Sequence, residues 1–254
     1  MSLSVLILGG QREGVIDPLC EEAGVERKAV IPINGRPMLL YVLDALDAAK
    51  GSAGTRAPYH ISGFDAGYDD RLTQSRSAPG PADSAYQALS QGISFPCLLT
   101  TCDHPLLTAE MVTEFAQKSK ASGADFCVGL AKKSIIAPAY PTVKRTYLKF
   151  SDEAVSGCNL FYIANEKGLA AIEFWKQAQH LRKQPLALAR SVGWGVLLAY
   201  ITRRLTVGGA FTYISKRLKI EAKNVFISVP EAAIDVDKLS DKLLVEHILK
   251  SQSA

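Results

Sequence analysis

Two rhythms of apolar residues alternate along the first 165 positions. Short runs with strand character occur at Ser4–Leu8, Pro58–Ser62, Cys97–Thr101, Phe126–Leu130 and Asn159–Ala164. Between them lie stretches with helical spacing. Pro37–Ala49 gathers Leu39, Leu40, Val42, Leu43 and Leu46 on one face, and Ala82–Gln91 repeats the pattern. Thr108–Lys120 places Met111, Val112 and Phe115 together behind Thr108, a residue suited to cap the helix. Strands joined by crossover helices predict an α/β fold with a mostly parallel central sheet and helices on both faces. Beyond residue 165 three helices are expected, Lys167–Ala178, Pro185–Arg204 and Val207–Leu218, with Pro185 placed at a helix start. A strand at Asn224–Val229 and a helix at Lys238–Leu249, with Asp237 at its cap, complete the pattern. The expected organisation is one domain over 1–254, carrying a basic helical insertion at about 166–222.

Composition adds little to this picture, but charge changes it. The 254 residues are 48% hydrophobic and 21% charged, which excludes a disordered or fibrous chain. A core of this size buries roughly 70–75% of the unfolded surface and needs no disulfide or metal to fold. Five scattered cysteines without a C-x-x-C pair suit a reducing compartment. The N-terminus lacks a basic region before its apolar run, and the longest apolar run, Val192–Ile201, is too short to span a bilayer. A cytoplasmic location is therefore expected. The net charge of +4 is uneven, because residues 176–223 hold ten basic residues and one acid, +9 in all, leaving −5 elsewhere. Such a segment is either a solvated helix face, an attractor of anionic substrate, or a peripheral contact with an anionic membrane. No nucleic-acid-binding motif accompanies it, so nucleic acid is not an expected partner.

The candidate chemistry begins where the first strand ends, in Leu8-Gly9-Gly10-Gln11-Arg12-Glu13-Gly14. Glycines there let the backbone approach a phosphate. The run is neither G-x-G-x-x-G nor a P-loop. Lys28 opens a stretch ending in Gly35-Arg36-Pro37-Met38, Asp103-His104-Pro105 follows a buried strand, and Asp235-Val236-Asp237 precedes the last helix. An acid just past a strand's carboxyl end faces the crevice where open parallel sheets bind ligands. Gly80 and Ser84 open a helix, Asn159 enters a strand, and Arg145 and Lys149 read either as surface cations on a strand or as holders of an acceptor phosphate. His60, His104, His180 and His247 have no metal-ligand spacing, although His104 adjoins Asp103. Trp175, Trp194, Tyr200, Phe211 and Tyr213 are expected in the core.

These motifs in this order resemble the nucleotidyltransferases related to molybdenum cofactor guanylyltransferase, over most of 3–164 and 224–249, with 166–223 outside the pattern. The resemblance implies the nucleotide-diphospho-sugar transferase fold and transfer of an NMP from an NTP, GTP or CTP favoured, to a small phosphorylated acceptor. Pyrophosphate would be released with Mg²⁺ as cofactor. It implies nucleotide contacts by Leu8, Gly9, Gly10, Gln11, Arg12, Lys28, Gly80, Ser84 and Asp103, with Lys28, Arg12 and Asp103 catalytic. Asp103, Asp235 and Asp237 are the implied metal ligands, and Arg145 and Asn159 the candidates for the acceptor. The first loop departs from the family's L-A-G-G-x-G-x-R, with Val15 where the arginine belongs and Arg12 as its substitute. Two other readings remain at this point: a NAD(P)- or flavin-dependent oxidoreductase using the glycine turn, and a non-catalytic nucleotide- or membrane-binding protein on the same fold.

Overall fold

The computed structural model describes residues 2–10, 17–141, 143, 145–181 and 193–252. Gln11, Arg12 and Pro185 lie outside the described residues. In chain order the elements are β1 (Ser4–Leu8), α1 (Pro18–Ala23), β2 (Pro32–Ile33), β3 (Arg36–Pro37), α2 (Met38–Ala48) and α3 (Lys50–Ala53). β4 (Tyr59–Ser62), β5 (Leu72–Ser75), α4 (Pro81–Ser90), β6 (Cys97–Thr101), α5 (Ala109–Ser122) and β7 (Phe126–Lys132) follow. Then come α6 (Lys133–Ala139), β8 (Leu148–Lys149), β9 (Ala154–Ile163), α7 (Leu169–Leu181), α8 (Trp194–Ile201), α9 (Val207–Leu218), β10 (Ala222–Phe226) and α10 (Leu239–Gln252).

The main sheet runs β10-β7-β9-β6-β1-β4-β5, with β8 added beside β9, and β2 pairs with β3 in a separate hairpin. β1 is parallel to both β4 and β6, and β10 is parallel to β7. β9 is antiparallel to β6 and to β7, so the sheet is mixed but mostly parallel, as its sequence pattern predicts. Alternation along the strands splits the core between two faces. Val5, Ile7 and Leu98 join Leu43, Val112 and Phe115 from α2 and α5. Leu6, Leu8 and Leu99 join Ala85 and Leu89 of α4 and Ile172 of α7 on the other side. A third cluster ties Leu19 and Cys20 of α1 to Ile31, Ile33, Ile234, Val245 and Ile248. It clamps the two segments that carry Lys28 and Asp235.

Several expected elements shift or were missed. β9 begins five residues before the expected Asn159, because the alternation of its first half is broken by Gly157 and by the register change opposite Val128/Leu130. The last strand covers Ala222–Phe226 rather than Asn224–Val229, since the chain turns at Pro230. Within Pro185–Arg204 the described helix is Trp194–Ile201. Asp237 does not cap α10. Its carboxylate is turned to Lys28, while its backbone N–H donates to Asp241 in the first helical turn at 3.3 Å. Trp194 is not core, being 56% exposed. α1, β5 and α6 carry too short an apolar pattern to stand out in the sequence.

Candidate active site

The parallel strands β4, β1 and β6 end side by side, and their carboxyl ends open into a cleft of about 540 Å³. Its wall includes Leu8 and Gly10 after β1, Ser62 at the end of β4, and Thr101 to Asp103 at the end of β6. This is where open α/β sheets bind ligands. Gly10 has a steric task here. It faces Gly63, which has φ +80°, and a Cβ on Gly63 would lie 2.4 Å from the Gly10 Cα. Two backbones therefore meet with no side chain between them, and the cleft wall at Gly10 is bare peptide. Pro79, Gly80 and Ser84 form one side. The Ser84 hydroxyl donates to Ala78 O and accepts from Ala78 N, both at 2.9 Å, which holds the loop before α4. Beside it, on α7, which packs against α4, stands an aromatic wall expected in the core: Trp175 lines the cleft and stacks on Phe161 at 5.6 Å between ring centroids.

Lys28, Asp103 and Asp237 bring a charged centre to the same cleft. Lys28 begins a 3₁₀ turn, Lys28–Val30, and its Nζ donates to Asp103 Oδ2 and to Asp237 Oδ1, each at 2.7 Å. Lys28 and Asp103 expose 13% and 17% of their side chains, whereas Asp237 exposes 65%. Burial alone would depress the lysine, but the charges of Asp103 and Asp237 and the hydrogen bonds to both overcome it. They hold the ammonium above its ordinary pKa. Asp103 Oδ1 is buried with no hydrogen-bond partner among the described residues. A buried carboxylate oxygen left in this state is available to ligate a cation or to accept a hydrogen bond from a ligand.

Asp235 sits between this centre and a second cleft of about 410 Å³. It receives Arg145 Nη2 at 2.7 Å on one oxygen and Asn159 Nδ2 at 3.0 Å on the other. Arg145 also donates to Ala233 O. Burial raises the Asp235 pKa, the nearby Asp103 and Asp237 charges raise it further, and Arg145 opposes them. Asn159 points there because β9 is irregular at that position: its φ is +51°, a left-handed conformation that asparagine tolerates better than most residues. Val236 N donates to Asp103 O at 2.9 Å and keeps the late acids against the end of β6.

The sequence-predicted residues within the described chain therefore converge, from positions as distant as 28 and 237. Leu8, Gly10, Lys28, Gly80, Ser84, Asp103, Asn159, Asp235 and Asp237 all line the first cleft. Arg145 lines the second, together with Asn159, Asp235 and Asp237. It is not a surface cation on a strand but an 11%-exposed partner of Asp235, while Lys149 is exposed. Gly9 packs behind the cleft against Phe64 and Ile61. Asp17 and Pro18 at the start of α1 also line the first cleft and went unrecognised, because a lone Asp-Pro reads only as a helix start. His104 is 1% exposed and lies 3.4 Å from Glu231 O through Nε2, and burial pushes its pKa down to about 4, which favours the neutral ring.

The sequence comparisons bear on what this arrangement is for. A family model described as the MobA-like NTP transferase domain matches residues 22–201. The chain belongs to that family. The MobA-like match runs on past β9 to residue 201, so the segment from 166 stands partly inside the family pattern rather than wholly outside it. A protein named "probable molybdenum cofactor guanylyltransferase" from Thermococcus gammatolerans is 26% identical over 140 residues, 52% of this chain and 69% of that protein. The structure of a hypothetical transferase from Thermus thermophilus is 31% identical with a TM-score of 0.79, over 95% of this chain and all of that one. A CMP:2-keto-3-deoxy-manno-octonic acid synthetase solved with CTP has a TM-score of 0.58 over 99% of this chain and all of its own. At 11% identity it shares the fold alone. This MobA-like protein is a nucleotidyltransferase, and the oxidoreductase and non-catalytic readings are set aside.

Proposed function

We propose that the protein transfers a nucleoside monophosphate from GTP or CTP to a small phosphorylated acceptor and releases pyrophosphate. The observation that carries this reading is the meeting of the two clefts at Asn159, Asp235 and Asp237, beside the Lys28–Asp103 pair. The first cleft is sized for a nucleotide, and the bare peptide at Gly10 suits phosphate contact. The second offers Arg145 to an acceptor phosphate. An acceptor oxygen attacks the α-phosphorus, a new P–O–P bridge forms, and the bond to the β-phosphate breaks with its electron pair leaving on pyrophosphate. The acceptor phosphate is already ionised near neutral pH, so no general base is required. Lys28, once phosphate replaces its carboxylate partners, offsets charge on the leaving group. Arg145 and Asn159 orient the attacking phosphate from the other side.

The donor set suits Mg²⁺. Among the described residues no three His, Cys, Asp or Glu side chains gather closely enough to hold a metal by themselves. Mg²⁺ instead takes one or two carboxylates and completes its shell with phosphates and water. Asp103, through the unpartnered Oδ1, and Asp235 or Asp237 would hold it, and the bound ion would neutralise phosphate charge. The guanylyltransferase name of the Thermococcus relative and the CTP of the synthetase structure support GTP or CTP as donor.

Thermal unfolding with each of four NTPs, with and without Mg²⁺, tests the reading on the parent and on Asp103→Ala. A Mg²⁺-dependent rise with GTP or CTP, absent in the variant, is expected. At 100-fold over Kd the stabilisation is about 2.7 kcal/mol. Pyrophosphate release on adding phosphorylated acceptors then identifies the second substrate. No rise with any NTP, in the presence of Mg²⁺ and a panel of such acceptors, would refute it.

A further inference from the structure

Helix α8 has the sequence Trp-Gly-Val-Leu-Leu-Ala-Tyr-Ile, and none of its residues is buried. A helix apolar all round ordinarily lies inside a core. Here Trp194, Leu198 and Ile201 are 56%, 63% and 66% exposed, and their i, i+4, i+7 spacing places them in one stripe. The helix is nonetheless seated on the protein by its other side. The Tyr200 ring meets Phe150 edge-on at 5.5 Å between centroids, the Tyr200 hydroxyl accepts from Lys149 N at 3.3 Å, and Ser151 N donates to Leu205 O at 2.9 Å. The apolar stripe is thus held outward by specific contacts.

Its surroundings say what could cover it. Arg203 and Arg204 follow the helix directly, and Lys216, Arg217 and Lys219 stand at the end of α9, all exposed. Between residues 193 and 223 the sequence holds one acid, Glu221. We propose that α8 is a docking helix for an anionic lipid bilayer. Its stripe enters the boundary between headgroups and acyl chains, and the flanking cations rest on the lipid phosphates. A second copy of the chain suits the stripe poorly, because a two-fold pairing through α8 would join two faces of like charge, each carrying Arg203, Arg204 and the cations at the end of α9 against Asp152, which accepts from Val207 N at 2.9 Å. Docking also has a geometric consequence. Leu148, 51% exposed, lines the second cleft, and its neighbour Lys149 is bonded to Tyr200. The rim of that cleft therefore comes to the lipid surface. This inference rests on the helix alone and stands whether or not the proposed transfer does.

The test is co-sedimentation of the full chain with vesicles of phosphatidylcholine alone and with about a third phosphatidylglycerol, at low and at high salt. Two exposed pairs are varied, Leu198→Glu with Ile201→Glu and Arg203→Glu with Arg204→Glu, each used at unchanged Tm. Binding is expected to favour anionic vesicles by about tenfold or more, to weaken with salt, and to be lost in both variants. Emission of Trp194 in a Trp175→Phe background should shift to the blue on binding. No binding at low salt, equal binding to both vesicle types, or binding kept by both variants overturns the proposal. A concentration-dependent dimer abolished by Leu198→Glu/Ile201→Glu also overturns it, by assigning the stripe to a second copy.

Discussion

Lys28→Met removes one charge that serves two acids, Asp103 and Asp237, and its cost can be worked from the geometry. A pair at 2.7 Å has a gross attraction of about 6 kcal/mol at an effective dielectric of about 20, most of which desolvation cancels. Breaking a fully buried pair by removing one partner costs about 3–5 kcal/mol. Lys28 and Asp103 are not quite fully buried, so about 2–3 kcal/mol is expected from that contact. The exposed Asp237 contact adds less than about 1 kcal/mol. At roughly 2–4 °C per kcal/mol for a chain of this length, Tm should fall by roughly 4–16 °C. Asp103→Asn should cost less than half as much, because Lys28 keeps Asp237 and the crowding of acids around Asp235 is relieved.

The sign of the pH dependence follows from the raised lysine. Its contribution is fully present below the unfolded value of about 10.4 and is lost as pH rises through the higher folded one. The difference between parent and variant should therefore stay level from neutral pH to about 9 and close only in stronger alkali. Differential scanning calorimetry at several pH values, without ligand, is the assay. The same variant should also lose its stabilisation by NTP, and activity by about 10²–10³. A Lys28→Met protein as stable as the parent at neutral pH would refute this account of the resting site.

Other consequences can be checked separately. Arg71 donates to both oxygens of Asp69 at 2.8 and 2.7 Å and to Asp44 and Asp47 of α2, so Arg71→Met should cost about 1–3 kcal/mol by urea denaturation. Its hydrogen bonds hold Asp69 below the ordinary carboxylate range. Asp47 is lowered too, the bonds from Lys50, Tyr59 and Arg71 outweighing its burial. The stability they confer is present above about pH 4 and lost as pH falls further, and the variant's acid unfolding should be correspondingly shallower. Gly63→Ala combines a left-handed backbone with a 2.4 Å approach to Gly10, and a loss of about 2–4 kcal/mol with weakened NTP stabilisation is expected; a neutral effect would show that the two backbones need not meet. All five cysteine side chains are buried, and burial pushes the Cys97, Cys102 and Cys158 thiols up, so labelling by a thiol reagent should await unfolding rather than occur on mixing.

Strand and helix rhythm, the order of the motifs and the candidate acids were all legible in the sequence, because they depend on local pattern. Val5 and Leu6 must face opposite ways in any strand, and Thr108 can cap a helix without help from distant residues. What the residues do to one another was not legible. Asp237 looks like a helix cap until folding brings Lys28 to it across 209 positions. Arg145 looks like a surface cation until the turn at Pro230–Ala233 sets Asp235 beside it. Trp175 and Trp194 are both apolar residues in helical patterns, yet one lines the cleft and the other faces outward. Periodicity determines which residues share a face of their own element. Only the tertiary structure decides what that face meets, because burial and charge pairing arise between segments that the chain keeps far apart.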